Sequence, residues 1–108
     1  MMKARILVAA ILVAASGTAL AASGDAEVGK KKSAPCAVCH GAEGVSVSPE
    51  FPNLAGQYPD YIEKAITHYQ NGKRKNVIMQ AQVEKLSHKD VLDLAAYFSS
   101  LKGLQVKH

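Results

Sequence analysis

The sequence of 108 residues is poor in the groups that mark several common protein classes. It contains no tryptophan, only two cysteines and 6% aromatic residues, and its formal net charge is only +4. A nucleic-acid-binding surface normally needs a large basic excess or basic residues interleaved with aromatic ones, so that class is disfavoured. No convincing strand pattern and no internal repeat are present, and the length allows one small domain.

The N-terminal segment lacks acidic residues and is mostly apolar. A basic start with Lys3 and Arg5 precedes an apolar run over residues 6–15, and small residues around Ala21 follow. This order predicts a secretory signal peptide over residues 1–21, cut after Ala21, which leaves residues 22–108 as the working domain. An uncleaved membrane anchor is the alternative, but a spanning helix needs roughly 20 strongly apolar residues and this run weakens after residue 15.

Both cysteines fall in one short run, Cys36-Ala37-Val38-Cys39-His40. The C-x-x-C-H spacing is the attachment signature of a c-type haem. Two thiols three positions apart can reach the two vinyl-bearing edges of one porphyrin, and the adjacent His40 can offer an imidazole nitrogen to the iron. Because the run occurs once, it predicts one haem.

A C-x-x-C pair has three other common uses. A thioredoxin-like redox pair normally follows a strand, and none precedes Cys36. A closed zinc site needs four ligands at paired spacing, but the other histidines lie twenty residues apart. A disulfide between Cys36 and Cys39 would leave His40 without a role. Haem attachment is therefore the favoured interpretation.

Residue spacing predicts three helices joined by loops. The first begins near Asp25, a suitable N-cap, and ends before Pro35, since proline disfavours helix at the residue before it. The second runs from about Asp60 to Asn71. The last begins at Ser87, where residues 87–90 resemble a capping box with Asp90 in the Glu position, and it ends near residues 102–103. The predicted fold class is therefore all-α.

Three residues in the predicted loops could act on a haem, and each also has a simpler explanation. The Pro52 carbonyl could accept the second N–H of His40, or Pro52 could be an ordinary turn residue. The Arg74 guanidinium suits a haem propionate, although residues 73–75 could be a solvated loop. A lone methionine such as Met79 usually packs in a core, but its thioether is also a good axial ligand of haem iron.

Residues 24–103 resemble a small bacterial class I c-type cytochrome, similar to monohaem periplasmic carriers whose domain also occurs doubled in certain dihaem cytochromes. The resemblance implies a class I cytochrome c fold over residues 22–108, with about three main helices around one covalent haem and the first and last helices crossing at Gly29 and Tyr97. It rests on four segments, Cys36-Ala37-Val38-Cys39-His40-Gly41, Pro52-Asn53-Leu54-Ala55-Gly56-Gln57, Met79 with Leu86-Ser87, and Leu94-Ala95-Ala96-Tyr97-Phe98.

The same resemblance implies a set of site residues. Cys36 and Cys39 would carry the thioether bonds of one haem c. His40 and Met79 would be the axial iron ligands, and Pro52 would orient His40. With both axial positions filled, the iron cannot readily bind a substrate, so the predicted protein is an electron carrier and not an enzyme, with no small-molecule substrate.

The predicted function is thus one-electron outer-sphere transfer by a soluble periplasmic carrier. Its partners would be redox proteins, with acidic docking surfaces, or membrane oxidoreductases. The basic residues 73–75 and 30–32 would favour acidic partners. One alternative is a haem enzyme or a gas- or peroxide-binding protein with an open sixth site, in which Met79 is only packed. Another is a membrane-anchored cytochrome subunit of an oxidoreductase that keeps residues 6–24.

Overall fold

The computed structural model describes residues 23–103, so the predicted signal peptide of residues 1–21 lies outside the described residues. The described part is all-helical, which confirms the predicted fold class. None of its helices is both long and apolar enough to cross a membrane. The helices are α1 (Ala26–Lys32), α2 (Ala34–His40), α3 (Pro59–Gln70), α4 (Val77–Val83) and α5 (His88–Ser100).

Two short helices, α2 and α4, were not predicted. The first helix ends at Lys32, before Pro35 as expected, but the C-x-x-C-H run that follows is itself helical. Pro35 lies in the first turn of α2, where its missing N–H has no intrahelical partner to lose. The break between α1 and α2 is a single residue, Ser33, whose hydroxyl donates to the Lys30 carbonyl at 2.7 Å.

The two longer predicted helices lie close to their expected positions. Helix α3 begins at Pro59 and ends at Gln70, within one residue of the prediction at each end. Helix α5 is capped by Ser87, whose hydroxyl accepts the Asp90 N–H at 3.1 Å while the Asp90 carboxylate accepts the Ser87 N–H at 2.9 Å. This reciprocal pair is the capping box expected from the sequence, although α5 ends at Ser100 and not near residues 102–103.

Helices α1 and α5 cross in close contact at Gly29. A Cβ atom at this position would overlap the carbonyl of Asp93 and lie 2.8 Å from the Cβ of Tyr97. Only glycine therefore allows the two backbones to approach this closely. The predicted crossing at Gly29 and Tyr97 is confirmed.

The buried hydrophobic cluster is small and is built mainly from one face of α5. The rings of Tyr97 and Phe98 lie 5.1 Å apart between centroids, in tilted contact. Cys36 packs against this cluster, which places α2 beside the core. The members of the cluster are Ile62, Leu94, Ala95, Tyr97 and Phe98.

A buried carboxylate holds α1 and the segment before it to α5. Asp93 is only 1% exposed and accepts three hydrogen bonds of 2.8 Å, from the Asp25 N–H and from the ammonium groups of Lys32 and Lys89. Lys32 also pairs with Asp90 at 2.6 Å. The hydrogen bond from the Asp25 N–H, and to a smaller extent those from the two lysines, hold the pKa of Asp93 far below its usual range. The hydrogen bond from Lys32, together with those from Ser87, lowers the pKa of Asp90 to about 2.

These shifts predict a loss of stability in acid. Both carboxyls have folded pKa values below the ordinary value of 3.8, so their stabilisation is present above that pH and is lost as the pH falls toward 2 and below. Asp93→Asn should be clearly less stable than wild type at pH 7 in urea unfolding followed by circular dichroism. The difference in free energy of unfolding between the two proteins should become smaller between pH 4 and pH 2. Asp60→Asn, at an exposed position on α3, is the control and should keep the wild-type acid slope. A constant gap for Asp93→Asn across this range would contradict the prediction.

Candidate functional site

Helix α2 places the three motif side chains on one face. Positions i, i+3 and i+4 of a helix are neighbours, and these are Cys36, Cys39 and His40. His40 is 7% exposed and both cysteines are partly buried, whereas Val38, between the cysteines, is 85% exposed. The helix therefore turns both sulfurs and the imidazole toward the protein.

The imidazole of His40 is oriented by one backbone carbonyl. Its Nδ1 lies 2.8 Å from the carbonyl oxygen of Pro52. Because a carbonyl can only accept, Nδ1 carries the hydrogen and Nε2 is the basic nitrogen. No hydrogen bond to Nε2 is formed within residues 23–103, so this atom is available to bind iron.

The loop that returns the chain from α2 to Pro52 is held from two sides. At its centre Gly44 adopts a φ of +71°, and its carbonyl accepts the N–H groups of Leu54 at 2.8 Å and Ala55 at 3.0 Å. From the other side, the Tyr97 hydroxyl of α5 donates to the Ala42 carbonyl at 2.9 Å. Sequence reasoning did not predict this contact, because nothing in the local pattern connects α5 with residue 42.

The two thiols have the environment of an attachment site more than that of a redox pair. Cys36 and Cys39 are not joined to each other. Burial raises the pKa of the Cys36 thiol above its ordinary value of 9.0, whereas a reactive redox cysteine needs a lowered pKa. Within residues 23–103 no three histidine, cysteine or acidic side chains gather into a possible metal site, so no zinc ligands accompany the pair.

Met79 lies in helix α4 and not in a loop as the sequence suggested. The Asn76 side chain caps this helix by accepting the Met79 N–H at 3.1 Å. Met79 is partly buried, while its neighbours Val77 and Ile78 are 85% and 59% exposed. Its partial burial distinguishes Met79 from those two exposed apolar residues.

Arg74 contacts an aromatic ring in the structure. Its guanidinium carbon lies 4.7 Å from the centre of the Tyr69 ring, a cation–π arrangement that holds the segment after α3. The backbone N–H of Arg74 donates to the His68 carbonyl at 3.0 Å. A contact between Arg74 and a haem propionate remains a prediction.

The chain's own residues fit a covalently attached haem. The motif presents two unpaired thiols on the same helix face as a buried imidazole, and the hydrogen bond to Pro52 leaves that imidazole with a free basic nitrogen. Cys36 also packs at the edge of the apolar cluster, which suits attachment of a large apolar ring.

Comparison with known proteins also points to a covalently attached haem. A family model described as cytochrome c matches residues 26–102. The chain is 43% identical over 97 residues to cytochrome c4 of Pseudomonas aeruginosa, an alignment that covers 89% of this chain and 48% of the relative. It is 41% identical over 81 residues to cytochrome c-554(548) of Halomonas halodenitrificans, covering 72% of this chain and 98% of that relative.

Among solved structures, reduced recombinant cytochrome c4 from Pseudomonas stutzeri superposes with a TM-score of 0.72 at 42% identity. That superposition covers 76% of this chain and 48% of the other. The chain thus spans about half the length of the cytochrome c4 relatives and nearly all of cytochrome c-554(548).

The matched family region contains all five helices and the C-x-x-C-H run. One covalently bound haem c and the class I fold follow from that match. The protein belongs to the cytochrome c family.

Proposed function

We propose that the protein is a periplasmic one-electron carrier whose haem is attached to Cys36 and Cys39 and ligated axially by His40 and Met79. When bound, haem c supplies an iron centre that gains and loses one electron. The residues of the chain attach the group, orient its ligands and shield it from water. The observation that carries the proposal is the 2.8 Å contact between His40 Nδ1 and the Pro52 carbonyl.

This contact is what an iron-ligating histidine needs from its surroundings. The carbonyl holds hydrogen on Nδ1, which fixes the tautomer and ring orientation and makes Nε2 more basic. The acceptor is a backbone atom in a loop that is itself hydrogen-bonded through Gly44 and Tyr97. The fold therefore sets the orientation of the imidazole.

Met79 is proposed as the second axial ligand because it is partly buried on a helix whose neighbouring apolar side chains are exposed. A thioether ligand raises the reduction potential relative to two imidazoles. With both axial positions occupied by side chains, electron transfer can proceed without substrate binding to iron. That favours a carrier over an enzyme or a gas-binding protein.

The periplasmic location rests on the N-terminal pattern of residues 1–21, which is typical of a cleaved secretory signal. Attachment of haem to the two cysteines and removal of the signal would both change the mass of the chain. A single measurement can therefore test both.

The protein purified from the periplasmic fraction should have the mass of a chain beginning at Ala22 plus one haem. The double variant Cys36→Ala with Cys39→Ala should lose the added mass and the colour, because no thiol remains to form a thioether. Val38→Ala, which changes an exposed residue between the two cysteines, should keep both. A wild-type protein with the mass of the bare polypeptide would refute haem attachment.

Carbon monoxide tests the Met79 ligand. The reduced wild-type protein should bind carbon monoxide slowly, because the thioether occupies the sixth position, and Met79→Ala should bind it at once. Met79→His should again resist and should have a potential lower by a sizeable part of the roughly 0.8 V range that axial ligands cover. Ile78→Ala, at the exposed neighbouring position, is the control and should behave as wild type. Immediate binding by wild type would favour the open-site alternative.

A basic segment is the proposed docking feature for redox partners. Lys73, Arg74 and Lys75 are all exposed and lie just before Asn76, the N-cap of the helix that carries Met79. Positive charge at this position would steer acidic protein surfaces toward the site. Such encounters between redox proteins are typically small, burying less than about 1,200 Å², so the partner can leave quickly.

Oxidation of the reduced protein by hexacyanoferrate(III), an anionic probe, should slow several-fold as ionic strength rises, since screening weakens the attraction. Lys75→Glu should lower the low-salt rate more than Lys64→Glu, the same charge reversal at an exposed position on α3 outside both basic segments. Equal effects of the two variants, or a rate independent of salt, would argue against a docking role for residues 73–75.

A further inference from the structure

Helix α4, which carries Met79, has little burial of its own. Of its seven residues only Val83 is buried. A helix this short is not stable alone in water, so its position depends on what holds its ends. The N-terminal end is capped by Asn76.

The C-terminal end is tied to α3 by Gln70, the last residue of that helix. The Gln70 amide nitrogen lies 2.9 Å from the Val83 carbonyl and 3.0 Å from the Leu86 carbonyl. Both partners can only accept, so the NH₂ group faces them and donates both hydrogens. These carbonyls lie at and beyond the C-terminal end of α4. The Val83 carbonyl also accepts the Leu86 N–H at 3.1 Å, so Gln70 adds a second donor there and joins both carbonyls to α3.

The Gln70 hydrogen bonds act on the face of α4 that carries Met79. Met79 and Val83 are separated by four positions, so their side chains are neighbours on one face. Val83 is the buried residue of that face, and its carbonyl is one of the two to which the Gln70 amide donates. Fixing Val83 against α3 therefore fixes the face that presents Met79.

We propose that Gln70 is a positioning residue for Met79, and that its two hydrogen bonds determine how firmly the thioether is held at the sixth position. The inference rests on the proposed axial role of Met79. Without these bonds the Val83 and Leu86 carbonyls both lose the Gln70 donor, although the Val83 carbonyl keeps the Leu86 N–H, and α4 is held less firmly against α3. The fraction of molecules with the methionine detached should then rise.

The test compares Gln70→Glu with Gln82→Glu in the holoprotein. Both variants replace a glutamine by a glutamate, but Gln82 is exposed on α4 and Gln70 loses both donors. In the reduced Gln70→Glu protein, carbon monoxide should bind at least about tenfold faster than in Gln82→Glu, a factor that corresponds to about 1.4 kcal/mol. The reduction potential should also be lower in Gln70→Glu than in Gln82→Glu.

Hydrogen exchange provides a readout that does not involve electron transfer. Amides of α4 should exchange faster in reduced Gln70→Glu than in Gln82→Glu, while those around Leu94 in α5 should not change. This pattern would place the loosening in α4 and not in the whole fold.

The outcomes separate the two levels of the argument. If wild type resists carbon monoxide and Gln70→Glu behaves as Gln82→Glu, the positioning role is refuted while Met79 ligation stands. If wild type itself binds at once, the proposed ligation fails.

Should Gln70→Glu not accumulate as holoprotein, Gln70→Leu removes the same donors without adding charge and carries the same expectation. Lower resistance of Gln70→Leu to urea with an unchanged carbon monoxide rate would show a purely structural role and overturn the inference.

Discussion

The close approach of α1 and α5 at Gly29 is the constraint on which the rest of the structure depends. It lets the Asp93 carboxylate of α5 receive the Asp25 N–H and the Lys32 ammonium across the interface. It also sets the position of Tyr97, whose Cβ packs against Gly29 while its hydroxyl reaches the Ala42 carbonyl. Tyr97 thus links the helix crossing to the loop that brings Pro52 back to His40.

The two proposed axial ligands are held with very different firmness. His40 is the last residue of α2, which is separated from α1 by Ser33 alone. Its side chain is almost fully buried and is hydrogen-bonded to a loop that α5 supports. Met79 is partly buried on a helix with one buried residue, which is capped by Asn76 and hydrogen-bonded near its C-terminal end to Gln70. Any weakening of the fold should therefore be felt at the methionine before the histidine.

The sequence was informative where a feature depends on neighbouring residues or on a fixed spacing. The capping box of α5 and the bounds of α3 could be predicted because each follows from a local pattern, and the crossing at Gly29 was implied by the resemblance to a known family. Helices α2 and α4 could not, because both are seven residues long and their stability comes from contacts distant in sequence. The Gln70 amide reaches carbonyls 13 and 16 positions away, and no periodicity announces such a contact.

The same distinction applies within the site. The C-x-x-C-H spacing predicts the thiols and His40 because chemistry demands adjacency, and the helix then places all three on one face. Pro52 and Arg74 were both plausible from composition, yet the structure places only the Pro52 carbonyl next to a motif side chain, while Arg74 stacks on Tyr69. A side chain that can reach many partners is weakly specified by sequence, whereas a backbone carbonyl in a loop with fixed turns has few alternatives. The contact made by a backbone carbonyl is thus the part of this site that sequence reasoning predicts best, and contacts made by long side chains can be assigned only from the fold.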